Sequence, residues 1–205
     1  KTKINGIFKD YILNQNFDMN SIFLNYEKSK VDRENKILNK DIESLNVKKF
    51  SLKHNYIVNE KLKLKWSFIN IDDNLAPTDN GKIYGLGINY NFNKKYFIKV
   101  DHYLSDYDTL NVNQTDLLLG NKLKLNNFSL VFKTGLKHIS LNGKKYGNYS
   151  FDDNYYNAFL LGLNAKYKSY NFNATYIKGD RVFTVLADGL KVQHHAMRQD
   201  DSYFL

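Results

Sequence analysis

The sequence holds no cysteine and a single proline, Pro77. Without cysteine there is no disulfide, no thiol nucleophile and no Cys-ligated zinc. No stretch of about 18 consecutive apolar residues occurs, so no transmembrane helix is encoded. That exclusion leaves one membrane class untouched: β-barrels, whose apolar residues come at every second position. Arginine is scarce too. Of 30 basic residues only Arg33, Arg181 and Arg198 are arginines. Readers of bases and phosphates lean on the bidentate arginine fork, so the net charge of +9 does not point to nucleic acid. Lysine, asparagine, isoleucine, tyrosine and phenylalanine are abundant together, and their A/T-rich codons account for much of the lysine. No phosphate loop, dinucleotide fingerprint, zinc spacing or RNA-binding aromatic motif is present. The chain opens on KTKINGIFKDY, with neither an apolar leader nor a start methionine. A removed leader or a fragment would begin this way.

What is present is aromatic and periodic. Sixteen Tyr and 14 Phe in 205 residues exceed what a disordered chain carries. From about residue 44 one unit repeats: an alternating run, a very short polar turn, a second alternating run and a longer polar connection. In 82–104, Tyr84, Leu86, Ile88, Tyr90 and Phe92 share one face, and Gly85, Gly87, Asn89 and Asn91 the other. After Asn93-Lys94-Lys95, the next run has Tyr96, Ile98, Val100 and Leu104 on one face. Period-two alternation of this length means strands. Similar hairpins turn at Asn59-Glu60, Asn126-Asn127 and Lys168-Ser169, and a less clear one at Asn14–Phe17.

The connections on the other side run through roughly 28–43, 72–81, 106–113, 141–154 and 180–196. Short turns at one end and long polar loops at the other suit an outer-membrane barrel. Strands of about 10–12 residues, rising about 3.3 Å each and tilted near 40°, span about 25 Å, the height of such a barrel's apolar band. Tyr90, Phe92, Tyr96, Phe128, Tyr167 and Tyr170 cluster beside the short turns, as a headgroup-level aromatic girdle would. Aromatics also pair across ordinary hairpins, but here they recur at one end of successive hairpins.

The apolar face is nearly unbroken over seven strands, with His102, Asn121 and Thr134 among its exceptions. A soluble barrel or sandwich would bury that face. Strand length, asymmetric connections and tyrosine placement favour the opposite sense, with Leu86, Ile88, Val100, Leu119, Leu130, Phe132, Leu161, Leu163 and Phe172 on an exposed outer wall. Through GLGINYNFNKKYFIKV, LKLNNFSLVF and LNAKYKSYNFNATY, the chain resembles the Gram-negative outer-membrane β-barrel superfamily, in its porin-like or small-barrel branch. The resemblance is architectural and covers about 44–205. It implies an all-β, antiparallel up-and-down transmembrane barrel meander of about 10–12 strands, one domain over 1–205. The family closes on a terminal aromatic strand. Here the last strand begins near Met197 and stops at Tyr203-Phe204-Leu205. With about 11 strands counted, the expectation is a domain incomplete at both ends, from a parent of 12 strands or more.

The same parity points Lys61, Lys63, Lys65, Lys99, Lys122, Lys124, Lys133, Lys137 and Lys166 into the lumen, opposed on their strands only by Asp101 and Asp116. Lys49 and Lys53 also point inward. A cationic lining favours anions, and lysine as the default polar residue is the plainer account. Asp72-Asp73, Asp152-Asp153 and Asp200-Asp201 form no recognised calcium loop. His194-His195 beside Arg198 and Asp200 is the one His–Asp cluster, and only one of two adjacent histidines can face a given side. Ser140 and His138 share a face, but it is the apolar one. The Asn-x-Ser/Thr matches at Asn113, Asn148 and Asn173 are expected by chance. No catalytic, cofactor or metal residue is therefore expected. The reading is a bacterial outer-membrane channel for passive diffusion of small hydrophilic solutes, anionic or neutral. Its partners are the lipid bilayer and those solutes. The alternatives are a closed barrel serving as adhesin or surface-binding protein through its loops, a rim-sited hydrolase, and a soluble lipid-binding barrel.

Overall fold

The computed structural model describes residues 2–35, 40–74, 78–143, 145–146, 149–150, 154–186, 191–192 and 199–204. Among them there is no helix. Eight strands come first: β1 (Thr2–Asn16), β2 (Asn20–Asn35), β3 (Lys40–Ile57), β4 (Leu62–Asp73), β5 (Lys82–Asn91), β6 (Tyr96–Asp106), β7 (Leu110–Leu125) and β8 (Phe128–Gly143). A two-residue hairpin follows, β9 (Lys145–Tyr146) with β10 (Tyr149–Ser150). Then come β11 (Asn154–Tyr167), β12 (Tyr170–Arg181), a second small hairpin of β13 (Val185–Leu186) and β14 (Lys191–Val192), and β15 (Gln199–Phe204). Eleven strands form one sheet in the order β1-β2-β3-β4-β5-β6-β7-β8-β11-β12-β15. Each wall strand pairs antiparallel with the next, so the sheet is an up-and-down meander, and it is not closed by a β1–β15 pairing.

Asparagine builds the short turns. In the β3–β4 turn, Asn59 Oδ1 accepts the backbone N–H groups of Lys61 and Leu62, each at 2.9 Å. In the β5–β6 turn, Asn93 Oδ1 does the same for Lys95 and Tyr96 at 2.8 and 2.9 Å. Such side-chain bonds mimic a backbone turn. The two-residue turns at 126–127 and 168–169 each open on a left-handed residue, Asn126 at φ 48° and Lys168 at φ 52°. Asparagine tolerates that region better than lysine does.

The opposite connections differ from the sequence expectation. Strand β2 runs on to Asn35 and β3 starts at Lys40, so most of 28–43 is sheet. Between Asp106 and Leu110 only 107–109 remain as a turn, closed by Tyr107 N–H to the Leu110 carbonyl at 3.0 Å. The polar residues taken for loop are strand residues past the apolar band. Connections 74–81, 144–153 and 182–198 stay long. Pro77, Asn148, Asp152-Asp153, His194-His195, Met197, Arg198 and Leu205 lie outside the described residues.

One face carries the burial. Ile69, Ile71, Ile83, Tyr103, Tyr107, Leu110, Val112, Ile139 and Leu141 pack with Val182, Phe183 and Val185 at the long-connection end. The pairing is staggered. The cross-strand row His54–Trp66–Leu86–His102–Thr115–His138 starts three residues from Ile57 on β3, yet lies ten residues past Phe128 on β8. Stagger of this kind is what tilted strands in a curling sheet require. Ser21 of β2 and Lys99 of β6 line one cavity of about 320 Å³, so the sheet curls toward that face.

Candidate functional site

The two faces of the sheet differ in what they expose and what they bury. Outward stand Leu86, Ile88, Val100, Leu119, Phe132, Leu161 and Phe172, all exposed, with Leu86 at 68%. Leu130 and Leu163 of the same expected set are half-buried. Inward stand Lys49, Ser51, Lys53, Ser67, Asp101, Ser105, Gln114 and Lys137, all buried. The inner face thus buries Lys, Ser and Asp in its middle and apolar side chains at the long-connection end, while the outer face exposes Leu, Ile, Val and Phe.

The inner face is organised in cross-strand rows. One row runs Ser21–Asn55–Lys65–Gly87–Asp101–Asp116–Lys137–Ala158. Asn55 Nδ2 donates to Ser21 Oγ at 2.9 Å. Lys65 Nζ lies 2.6 Å from Asp101 Oδ1, and Lys99 Nζ lies 3.1 Å from Asp101 Oδ2. Lys137 Nζ bonds both oxygens of Asp116, at 2.6 and 2.5 Å. Two neighbouring carboxylates are thus each held by lysine from the far side, an ionic belt about the inner face. Lys49 pairs with Glu27 further along.

Above the belt, toward the long connections, the rows turn apolar. Ser67–Gly85–Tyr103–Gln114–Ile139 comes first, then Ile69–Ile83–Ser105–Val112–Leu141. Glycine makes room for the large groups. A Cβ at Gly85 would sit 2.7 Å from the Tyr103 ring. Below the belt, toward the short turns, Lys61, Lys63, Lys122, Lys124 and Lys166 are exposed and Lys133 is half-buried. Lys122 donates to Asn91 Oδ1 at 3.0 Å and lies 4.9 Å from the Phe97 ring centre. Of the lysines expected to point inward, Lys65, Lys99 and Lys137 are thus paired with carboxylates. Asp101 and Asp116 reach them because both project into the same narrow interior.

The aromatics expected at the short-turn end, Tyr90, Phe92, Tyr96, Phe128, Tyr167 and Tyr170, are all exposed there. Tyr90 and Phe92 meet edge-on at 5.3 Å. Unanticipated is a polar chain on the same wall: Trp66 Nε1 donates to His54 Nδ1 at 2.9 Å, and His54 Nε2 meets Asn20 Oδ1 at 2.9 Å. The outward His102 and His138 are likewise bonded across strands, to Thr115 and Asn157, each at 2.8 Å. That bond occupies His138 Nδ1, and the residue stands on the outer face away from the belt. Asp72 and Asp73 face opposite ways, Asp72 to Lys48 at 2.8 Å and Asp73 accepting from Thr78 Oγ1 at 2.8 Å.

The largest miss is the segment after β12. Read as polar connection, it carries the apolar run Val182-Phe183-Thr184-Val185-Leu186, and its first four residues are buried against the inner face. The run was the available signal. Compared with known proteins, the chain matches no family model and no curated protein.

Proposed function

We propose that the chain forms the wall of an outer-membrane β-barrel channel of porin-like type, for passive diffusion of small hydrophilic solutes. The carrying observation is an outer wall of exposed Leu, Ile, Val and Phe around an inner face that buries Lys, Asp, Ser and Gln beside one apolar cluster. The largest apolar patch of a soluble monomer is about 300–600 Å², whereas here exposed apolar residues continue from β4 to β12. Lipid is the solvent that such a wall fits. No helix among the described residues is long and apolar enough to cross a membrane, so crossing would be by strands.

The exposed lysines at the short-turn end support a mild preference for anions, screened over about 8 Å at physiological salt. The test is single-channel conductance in a planar bilayer, with reversal potential under a KCl gradient. Discrete, anion-preferring steps are expected. A second reading, a closed barrel acting through its outer loops, draws on the apolar cluster across the interior at the long-connection end. Stable insertion without conductance, in the parent and in variants that loosen this cluster, would favour it.

A further inference from the structure

Part of the inner apolar cluster is not wall. Val182, Phe183, Thr184 and Val185 leave the end of β12 and fill the inner space at the long-connection end, and all four are buried. The Phe183 ring packs 6.0 Å from that of Tyr107. Its backbone is at φ 46°, a left-handed conformation that a bulky residue keeps only where its surroundings hold it. Gly179, just before, has φ 114°, which glycine alone adopts freely. There the chain departs from the regular pairing of β12, whose register with β15 also shifts between Lys178 and Arg181.

Gln114, on β7, ties this segment to the wall. Its Nε2 donates to the Val185 carbonyl at 2.9 Å, and the Val185 N–H donates to its Oε1 at 2.8 Å. The side-chain amide thus completes a backbone pairing across 71 positions of sequence. The same Nε2 lies 3.1 Å from each oxygen of Asp116, which holds Lys137. Beneath the segment a cavity of about 280 Å³ is lined by Lys99, Asp101, Tyr103, Asp116, Lys137 and Val185. The segment therefore roofs the ionic belt, and one glutamine joins roof to belt.

We propose that Val182–Val185 is a releasable stopper and that Gln114 is its latch. The inference rests on the channel reading for its consequence, passage of solute, but not for its geometry. Two buried hydrogen bonds hold the seated state against a strained backbone, so losing them shifts the segment toward an unseated state.

Thr184 is 0% exposed, and the chain has no cysteine, so Thr184→Cys gives a single thiol that reports seating. The full chain is inserted into liposomes and treated with a water-soluble maleimide. Labelling is expected to be slow with Gln114 present and roughly tenfold faster or more with Gln114→Ala, the scale of two lost hydrogen bonds. Gln114→Glu keeps the size and the acceptor but loses the donor, so it covers a folding failure of the alanine variant and is also expected to label faster. Equal rates in all three backgrounds, or fast labelling with Gln114 intact, overturn the latch. Conductance of the same variants separates the two ideas. Release without conductance in any variant leaves the latch standing and ends the channel reading. Conductance with unchanged labelling does the reverse.

Discussion

Lys65 and Asp101 lie on strands that are not neighbours, yet Nζ and Oδ1 are 2.6 Å apart because Gly87 stands between them. All three share one inner row. Strands are about 4.8 Å apart, so residues two strands away are about 10 Å apart at the backbone. Only a long side chain crossing an empty position can close that gap. A Cβ at Gly87 would lie 2.2 Å from Asp101 Oδ1 and 2.6 Å from Lys65 Cε. The belt therefore depends on a missing side chain as much as on the charges.

Replacing Gly87 by alanine tests this. In an ordinary strand interior the change would stabilise by about 0.5–1 kcal/mol, because glycine loses more backbone freedom on folding. Here the methyl displaces the ion pair, and overpacking costs about 1–3 kcal/mol. The expected sign is net destabilisation, by about 1–2 kcal/mol, read from urea unfolding in detergent micelles. A stabilised variant would show that the pair does not need the gap.

Two kinds of lysine should respond differently to charge reversal. Lys63 and Lys124 are exposed at the short-turn end, so the double variant Lys63→Glu, Lys124→Glu is expected to fold as the parent does. Its reversal potential under a KCl gradient should move toward cations. Lys137 is buried on Asp116. Breaking a buried pair from one side costs about 3–5 kcal/mol, so Lys137→Glu is expected to lose folded protein before any change in selectivity can be read. An unmoved reversal potential in the rim variant would leave codon composition as the account of those lysines.

The turn residue Tyr107 gives an alkaline signature. Burial pushes its hydroxyl well above the ordinary tyrosine range. A folded-state value above the unfolded one contributes stability that is fully present below about pH 10 and is lost as pH rises beyond it. Tyr107→Phe keeps the ring beside Phe183 and removes the titrating group. Between pH 8 and pH 11 the parent is expected to lose more unfolding free energy than the variant. Parallel losses would place the ionisation elsewhere.

The repeated hairpins were legible because period two and asparagine-rich turns are local signals, and the antiparallel meander follows from them. Parity also read correctly which residues share a face. What strands do beyond the apolar band was not legible, since Lys28–Asn35 lose the alternation of apolar residues while keeping their ladder, and in Leu110–Asn113 the apolar residues Leu110 and Val112 move to the inner face. Nor was the lysine pairing. Asp101 and Asp116 are few in sequence but central in space, and curling brings lysines from three strands onto them. The stopper was hidden by its neighbours: Val182–Val185 is short and sits among Gly, Asp and Lys, and its burial depends on Gln114, far away in sequence.

Depth dependence offers the decisive test of what solvates the outer wall. Leu86 and Leu125 are both large, outward and exposed, at 68% and 70%. To water they are equivalent, and arginine at either position would change stability by no more than about 0.5 kcal/mol. To lipid they differ. Leu125 adjoins the two-residue turn before Phe128, at the level of the aromatic girdle, where a long cation reaches the headgroups. Leu86 lies within β5, between Trp66 and His102 across the strands. A cation at the bilayer midplane of a barrel costs about 2–4 kcal/mol, falling to about 0–1 at the interface. Leu86→Arg is therefore expected to destabilise the protein in phospholipid vesicles by about 2 kcal/mol or more, and Leu125→Arg by less than about 1. The comparison cancels packing losses common to both, because neither side chain is buried by protein. Equal, small effects at the two sites would mean that water wets the wall, and the soluble barrel would then replace the membrane reading.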